Sequence, residues 1–512
     1  MSQISVSNLT FAYEGSFDNI FEDVSFMIDT DWKLGFIGRN GKGKTTFLNI
    51  LLGKHSYKGS IRTDTVFDYF PYAVANEDKT LMAAELMYKW KADVEDWQVL
   101  KELPRLQIGA ETLYRPFDSL SFGERTKIML AVLFSGDNNF LLIDEPTNHL
   151  DSASRNLVKD YLRSKKGFIL VSHDRDLLDA CIDHVLVLNR ASIEVQSGNF
   201  TSWWENKERA DAFARAENAK HAHEIDKLKR SADRTLRWAE KSENSKIGFD
   251  PVKEHDRSIS TRSYIGAKTK KMQSRVKNFQ GRMERKIEEK EGLLQDIEEV
   301  TDLKINVLTH YKERLVHVSD YSLKYIDAEK PVFEHLCFDI MQGDRVFLYG
   351  ENGCGKSSVI RALLKRAGSG AKTGSCEFFE EGVFEVAPNL EISYIDQDTS
   401  HLSGNLKQYA EDNNLDYSLF LTLLRKLDLE KVQFEKDLED YSEGQKKKVL
   451  IAAGLITPAH LYIWDEPLNY IDVFSRMQIE KLIETFKPTM LMVEHDVRFR
   501  ESIATKTVEF LD

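Results

Sequence analysis

Two stretches of this 512-residue chain carry glycines, a lysine and a hydroxyl at the spacing that wraps a phosphate chain. Gly38-Arg-Asn40-Gly41-Lys-Gly43-Lys44-Thr45-Thr46 and Gly350-Glu-Asn352-Gly353-Cys-Gly355-Lys356-Ser357-Ser358 both read Gly-x4-Gly-Lys-Ser/Thr between an apolar run and a helical pattern. Glycines let backbone N–H groups turn inward around phosphate oxygens, the lysine neutralises the terminal phosphates, and the hydroxyl reaches Mg²⁺. Hydrolysis of that phosphate chain needs two carboxylates more: one to hold the metal and one to orient or deprotonate water. Asp144-Glu145 and Asp465-Glu466 each end an apolar run and supply such a pair. His173 and His495 follow a further apolar run in each half. A histidine after a strand is ordinarily structural, but here each stands where a sensor of the terminal phosphate is needed.

A third element completes each set. Leu120-Ser121-Phe122-Gly123-Glu124 and Tyr441-Ser442-Glu443-Gly444-Gln445 precede helical patterns. The spacing from serine to metal-binding aspartate is 23 in both halves, and from aspartate to histidine 29 and 30. Tyr13 and Tyr325 occupy matching places ahead of the loops, and Gln397 follows Tyr394-Ile-Asp, where the first half has Pro71-Tyr72. Alternation makes Ile4–Phe11 an edge strand, while Lys33–Ile37, 66–70, Phe140–Ile143, Phe168–Val171 and Arg345–Tyr349 read as strands and Lys127–Leu133 as helix.

Two sets of motifs in this order resemble the ATP-binding cassette (ABC) family. The resemblance implies an α/β fold: two P-loop ATP-binding cassette domains, at 1–200 and 315–512, joined by an α-helical coiled-coil hairpin linker at 201–314. It implies ATP and Mg²⁺ as cofactors, stacking of adenine on Tyr13 and Tyr325, and metal contacts from Thr45, Asp144, Ser357, Gln397 and Asp465. Each ATP then lies between one half's phosphate loop and the other half's signature. One site combines Lys44, Asp144, Glu145 and His173 with Ser442, Gly444 and Gln445; the other combines Lys356, Gln397, Asp465, Glu466 and His495 with Ser121 and Gly123. Two departures stand out: Pro71-Tyr72 replaces a usual glutamine and Phe122 a usual signature glycine. Both general bases are present, so both sites should hydrolyse, and Tyr72 makes them unequal.

Between the halves, residues 201–300 are charged and mostly free of Gly and Pro. Apolar positions recur at Ile225, Leu228, Ala232, Leu236 and Ala239, and again at Met272, Val276, Phe279, Met283 and Ile287, one narrow stripe on each of two helices. The break at about 245–265 contains Pro251 and small polar residues. A charged helical linker is the ordinary reading of such a segment. Residues 261–290 nevertheless carry ten basic side chains against three acidic ones, a net of +7 in a chain whose total is −13. That asymmetry is the footprint of a phosphate-backbone partner. An apolar fraction of 42% supplies ample core, no run of about 18 apolar residues exists, and four unpatterned cysteines fit a reducing compartment. The start, Met-Ser-Gln-Ile-Ser-Val, lacks the layout of a secretory signal, so a cytoplasmic location is expected.

Twin cassettes with a long charged hairpin and no membrane span resemble the ABC-F translation factors. Within them the chain most resembles the ribosome-protection branch active against lincosamides, streptogramin A and pleuromutilins, in Asp31–Thr45, Arg115–Ser121, Ile265-Gly-Ala267 and Tyr462–Asn469. The implied partners are the bacterial 70S ribosome at its tRNA exit site, P-site tRNA and large-subunit rRNA, bound by a monomer acting as an intramolecular cassette pair without a membrane domain. The hairpin tip would enter the drug region, with Phe249, Arg257, Ile259, Arg262 and Tyr264 as contacts to RNA or the drug site. A housekeeping ABC-F factor that rescues stalled ribosomes is the alternative. The detached ATPase of a drug exporter needs a membrane partner and leaves the basic arm unexplained, and DNA-repair ATPases carry their coil inside one cassette.

Overall fold

A computed structural model describes residues 2–13, 19–136, 140–148, 150–189, 192–244, 306–326, 330–351, 353–368, 378–429 and 431–510, with Arg282 alone between 245 and 305. The expected tip at 245–265 with Phe249, Arg257, Ile259, Arg262 and Tyr264, the stripe of the second arm, and Asn352 lie outside the described residues. One compact unit holds both cassettes, up to Trp203 and again from 301 onward; the other runs from Trp204 to Val300.

Each cassette is built on a largely parallel sheet and an antiparallel three-stranded one. In the first half the strands are β1 (Gln3–Phe11), β2 (Phe21–Asp29), β3 (Lys33–Ile37), β4 (Lys58–Arg62), β5 (Phe67–Phe70), β6 (Phe140–Asp144), β7 (Phe168–Val171), β8 (His184–Leu188) and β9 (Ile193–Ser197). Their sheets run β5-β6-β7-β3-β8-β9 and β2-β1-β4. In the second half β10 (Arg314–Tyr325), β11 (Phe333–Met341), β12 (Arg345–Tyr349), β13 (Phe378–Val386), β14 (Ile392–Ile395), β15 (Leu461–Asp465), β16 (Met490–Val493) and β17 (Lys506–Glu509) form β14-β15-β16-β12-β17 and β11-β10-β13. The strands Phe140–Ile143, Phe168–Val171 and Leu461–Asp465 are buried along their whole length, because helices cover both faces of a parallel sheet. Ile4–Phe11, expected at an edge, is instead the middle strand, paired antiparallel with β2 and with β4. Its alternation reports one apolar face over the core, a pattern that central and edge antiparallel strands share.

The linker begins as a single helix, Phe200–Asn244, of 45 residues, about 68 Å at the rise of an α-helix. Neither Gly nor Pro interrupts it, and Arg209–Glu205 (3.4 Å) and Arg230–Asp226 (2.8 Å) pair one turn apart. By Asn306 the chain packs on the second cassette: the N–H of Leu308 donates to the Ala459 carbonyl (2.9 Å) and the Tyr462 hydroxyl to that of Asn306 (3.0 Å). Residues 306–313, expected in the linker, therefore pack with the second cassette ahead of β10.

One ion pair fixes the floor of the second cassette. Lys448, on the helix Glu443–Ile456, donates to Asp472 at 3.0 Å, with side chains 4% and 1% exposed. Asp472 also caps the helix Val473–Phe486 by accepting from the Ser475 N–H at 2.9 Å. Burial pushes this carboxyl up, but the Lys448 ammonium and the Ser475 N–H hold it well below the usual carboxylate range. Lys448→Ala strands a buried carboxylate, so urea unfolding at neutral pH should show a loss of about 3–5 kcal/mol. A depressed native value stabilises above the ordinary aspartate range and is lost as acid titrates the group, so the variant's stability should also vary less on the acid side. A loss below about 1 kcal/mol contradicts this assignment.

Candidate nucleotide-hydrolysing sites

Each phosphate loop leaves the C-terminal end of a central parallel strand, β3 or β12, and opens a helix, Lys44–Leu51 or Lys356–Ala367. Glycine is required at the last turn. Gly43 has φ +108° and a Cβ there would lie 2.5 Å from Ile20; Gly355 has φ +101° with Phe333 at 2.6 Å. The ammonium of Lys44 folds over its loop and donates to the carbonyls of Gly38 (2.5 Å) and Arg39 (3.2 Å) and to the Asn40 side chain (3.2 Å). Lys356 does the same toward Gly350 and Glu351, both at 2.7 Å. Tyr13 and Tyr325 lie beside their loops, their hydroxyls 2.8 Å from those of Thr46 and Ser358.

The second cassette's loop opens on a cavity of about 410 Å³. Gly353, Gly355, Lys356, Ser357 and Ser358 line one side, and Phe122 and Arg155 of the first cassette reach it too. The signature residue Phe122 thus faces the phosphate loop of the opposite half. Glu466 accepts from Gln397 (2.9 Å), Asn469 (2.9 Å) and His495 (3.2 Å). Burial raises this carboxyl, but the His495 and Asn469 bonds and the Lys356 charge outweigh it, leaving it below its ordinary value. Asp465 is pushed up to about 6 by burial, against the hydrogen bond from Ser357. Gln397, expected at the metal, instead bonds the neighbouring carboxylate.

The first site is built differently. Thr45 lies 3.4 Å from Asp144, and the Tyr69 hydroxyl donates to the same carboxylate oxygen at 3.1 Å. Strand pairing makes Tyr72 the counterpart of Gln397: Phe70 faces Ile143 as Ile395 faces Trp464, two residues before Tyr72 and Gln397 respectively. The Tyr72 hydroxyl is committed to Asp68 (2.8 Å) and its ring stacks on Trp90. Glu145 lies 3.4 Å from the His173 ring and is pushed up to about 8 by burial and then by the Asp144 charge. Burial, then the Lys44 charge, pushes His173 well below its usual value. Both Glu145 and Glu466 have φ near +50°, held by N–H bonds to the Val171 and Val493 carbonyls. Strain of that kind aims a side chain where relaxed backbone would not.

Contacts across the halves pair the first loop with the second signature. Asn40 donates to the Tyr470 carbonyl at 2.7 Å, and a Cβ on Gly444 would lie 3.5 Å from the Asn40 amide. Ser121 and Ser442 cap the helices Phe122–Leu133 and Glu443–Ile456 by accepting from the N–H groups of Glu124 and Gln445; Gly123 lies in the first turn of the former. A capped helix N-terminus facing a phosphate loop is a stabiliser of anionic charge.

The residues present fit a nucleotide triphosphate with Mg²⁺. Thr45 with Asp144, and Ser357 with Asp465, offer the hard oxygens such an ion takes, and the glycine-lined cavity has the volume and the lysine for phosphates. When bound, the ion neutralises phosphate charge as the bond to the terminal phosphoryl group breaks. In this arrangement Lys44 and Lys356 would hold the terminal phosphate, Glu145 and Glu466 would place water, and His173 and His495, beside those carboxylates, would sense the phosphate. Tyr69, Asn469, Arg155 and Tyr470 were not legible as site residues; the parallel register of β5 on β6 brings Tyr69 to Asp144. Tyr69→Phe removes the hydrogen bond that orients the Asp144 carboxylate and opposes the upward push of burial on it, which leaves a poorer metal ligand. In a Glu466→Gln background, where hydrolysis is confined to the first site, it should raise the Mg²⁺ concentration for half-maximal turnover by about tenfold, the worth of one hydrogen bond to a charged group. An unchanged Mg²⁺ requirement contradicts this role.

Known proteins share this architecture. The ABC transporter family model matches residues 21–148 and 333–469, one stretch in each half. The ribosome protection protein VmlR of Bacillus subtilis is 26% identical over 509 residues, 97% of this chain and 85% of that protein. The erythromycin resistance ATP-binding protein MsrA of Staphylococcus epidermidis is 26% identical over 497 residues, 93% and 91% of the two chains. The archaeal ribosome recycling factor aABCE1, solved with a ribosomal stalk protein, superposes with a TM-score of 0.61 at 18% identity over 99% of this chain and 87% of its own, a likeness of fold. Among the described residues no helix is long and apolar enough to cross a membrane. With a family match in each half, the chain belongs to the ABC transporter family and is an ATPase of its ABC-F group.

Proposed function

We propose that the chain is an ATP-dependent ribosome-binding protein of the resistance type. It binds the tRNA exit site and, through its interdomain hairpin, displaces lincosamides, streptogramin A and pleuromutilins from the peptidyl transferase region. Whole-length likeness to a ribosome protection protein and to an erythromycin resistance protein supports this reading. The observation that carries it is the root of the linker. Asp179 accepts from the Thr201 N–H (2.7 Å) and hydroxyl, and Arg498 bridges Asp179 (2.5 Å) and Thr201 (3.0 Å). Asp179 lies on the helix Arg175–Cys181, directly after His173-Asp174, and Arg498 on the helix Val497–Ile503, directly after His495-Asp496. Trp203 packs edge-on against Phe474 at 6.0 Å.

Both switch segments therefore end on the first turn of the linker helix. In this reading ATP draws the cassettes together, His173 and His495 register the terminal phosphate, and the junction Asp179–Thr201–Arg498 turns that state into a direction of the helix. The basic arm follows RNA phosphates, and the tip either occupies the drug site or shifts the bases that line it.

A chain carrying Glu145→Gln and Glu466→Gln binds ATP without water activation and should be trapped closed. It should sediment with ribosomes holding P-site tRNA when ATP is present; sedimentation with membranes, or none, overturns the reading. Arg498→Ala touches no site residue. It should leave hydrolysis by the free chain within about twofold while ribosome stimulation falls about fivefold or more, the scale of a site-to-site coupling. Equal loss of both activities contradicts a coupling role.

A further inference from the structure

We infer that Asp428 is a positioning residue of the first ATP site alone, holding the first phosphate loop against the second cassette so that this site keeps its nucleotide longer. Arg39, inside the loop, pairs with Asp428 at 2.9 Å, the two side chains 17% and 21% exposed. Asp428 belongs to the second cassette, in the turn after the helix Tyr417–Lys426, with φ +64° and its N–H on the Arg425 carbonyl at 3.0 Å. The next residue of the loop, Asn40, also grips that cassette, at the Tyr470 carbonyl. Two consecutive residues of one phosphate loop are thus tied to the opposite half, one by charge and one by a hydrogen bond.

The other site cannot make this pair. Arg39 lies five residues before Lys44, and Glu351 five before Lys356; Asp428 lies 14 before Ser442, and Gln107 14 before Ser121. Gln107 also shares the positive φ (+53°) of Asp428, after a turn that ends likewise. By these matched positions Glu351 stands for Arg39 and Gln107 for Asp428, and an acidic and a neutral side chain have no ion pair to form. Opening the first interface must separate a half-buried guanidinium from its carboxylate, which slows dissociation; opening the second does not. Both sites can still hydrolyse, because each keeps its own carboxylate pair and lysine, and Arg39 meets Lys44 only through its backbone carbonyl, which a change at Asp428 leaves in place. The inference rests on the ATPase sites and not on the ribosomal reading, and its test contains no ribosome.

The purified Glu145→Gln, Glu466→Gln chain is loaded with fluorescent ATP and Mg²⁺ and then chased with unlabelled ATP. Two phases of equal amplitude are expected. Asp428→Asn should speed the slow phase about tenfold, between the worth of an exposed ion pair and that of a buried one, and leave the fast phase alone. The swap of Arg39→Asp with Asp428→Arg should restore the slow phase, which a merely structural role of either residue would not. Gln107→Arg, facing Glu351, should slow the fast phase; this arm adds a contact and needs no residue removed. A single phase in the parent, equal acceleration of both phases by Asp428→Asn, or no rescue by the swap overturns the inference.

Discussion

Neither half of this chain can complete a hydrolytic site by itself, and that incompleteness governs the molecule. A phosphate loop supplies lysine, hydroxyl and carboxylates from the C-terminal ends of one sheet, whereas the N-terminus of the signature helix comes from the other half. Phe122 and Arg155 in the second cassette's cavity, and Gly444 beside Asn40, are the visible consequence. In the proposed reading a bound nucleotide would add its charge to the contacts that already join the two surfaces, Arg39 with Asp428 and Asn40 with the Tyr470 carbonyl, and so would favour closure.

The two sites obey the same plan with different chemistry. Gln397, Asn469 and His495 surround Glu466, and the His495 and Asn469 bonds with the Lys356 charge hold it below its ordinary value. Glu145 lacks the glutamine, sits beside the Asp144 charge, and is driven the other way. Tyr72, in the glutamine's place, is turned to Asp68, Tyr69 bonds Asp144, and Arg39 adds a charge contact across the interface. The two frames share their strand order around the phosphate loop, and different residues at a handful of positions make the sites unequal.

Much of this was legible in the residues. Apolar runs ending in Asp-Glu or His, and glycines ahead of a lysine, mark strand ends that feed functional loops, and the described strands and helices follow those marks. What failed has physical reasons. Ile4–Phe11 alternates whether it is flanked on one side or both, so the pattern could not tell a middle strand from an edge. The roles of Tyr69 and Asp428 depend on parallel register and on contacts hundreds of residues apart, which no local pattern encodes. The start of the linker was readable as an amphipathic stripe, but its clamp by Asp179 and Arg498 was not, since each is an unremarked charge on a short helix.

From the sites to the linker the route is short: a histidine, an aspartate that caps a helix, and a side chain of that helix on Thr201. In the proposed function such a path would carry nucleotide state to the first turn of the linker helix. The most direct measurement of the account is peptide synthesis in a purified bacterial translation system halted by a lincosamide. Adding this chain with ATP should restore synthesis, and the chain with Lys44→Ala and Lys356→Ala, unable to hold nucleotide, should not. No restoration by the intact chain, or equal restoration by the nucleotide-blind one, would contradict the account.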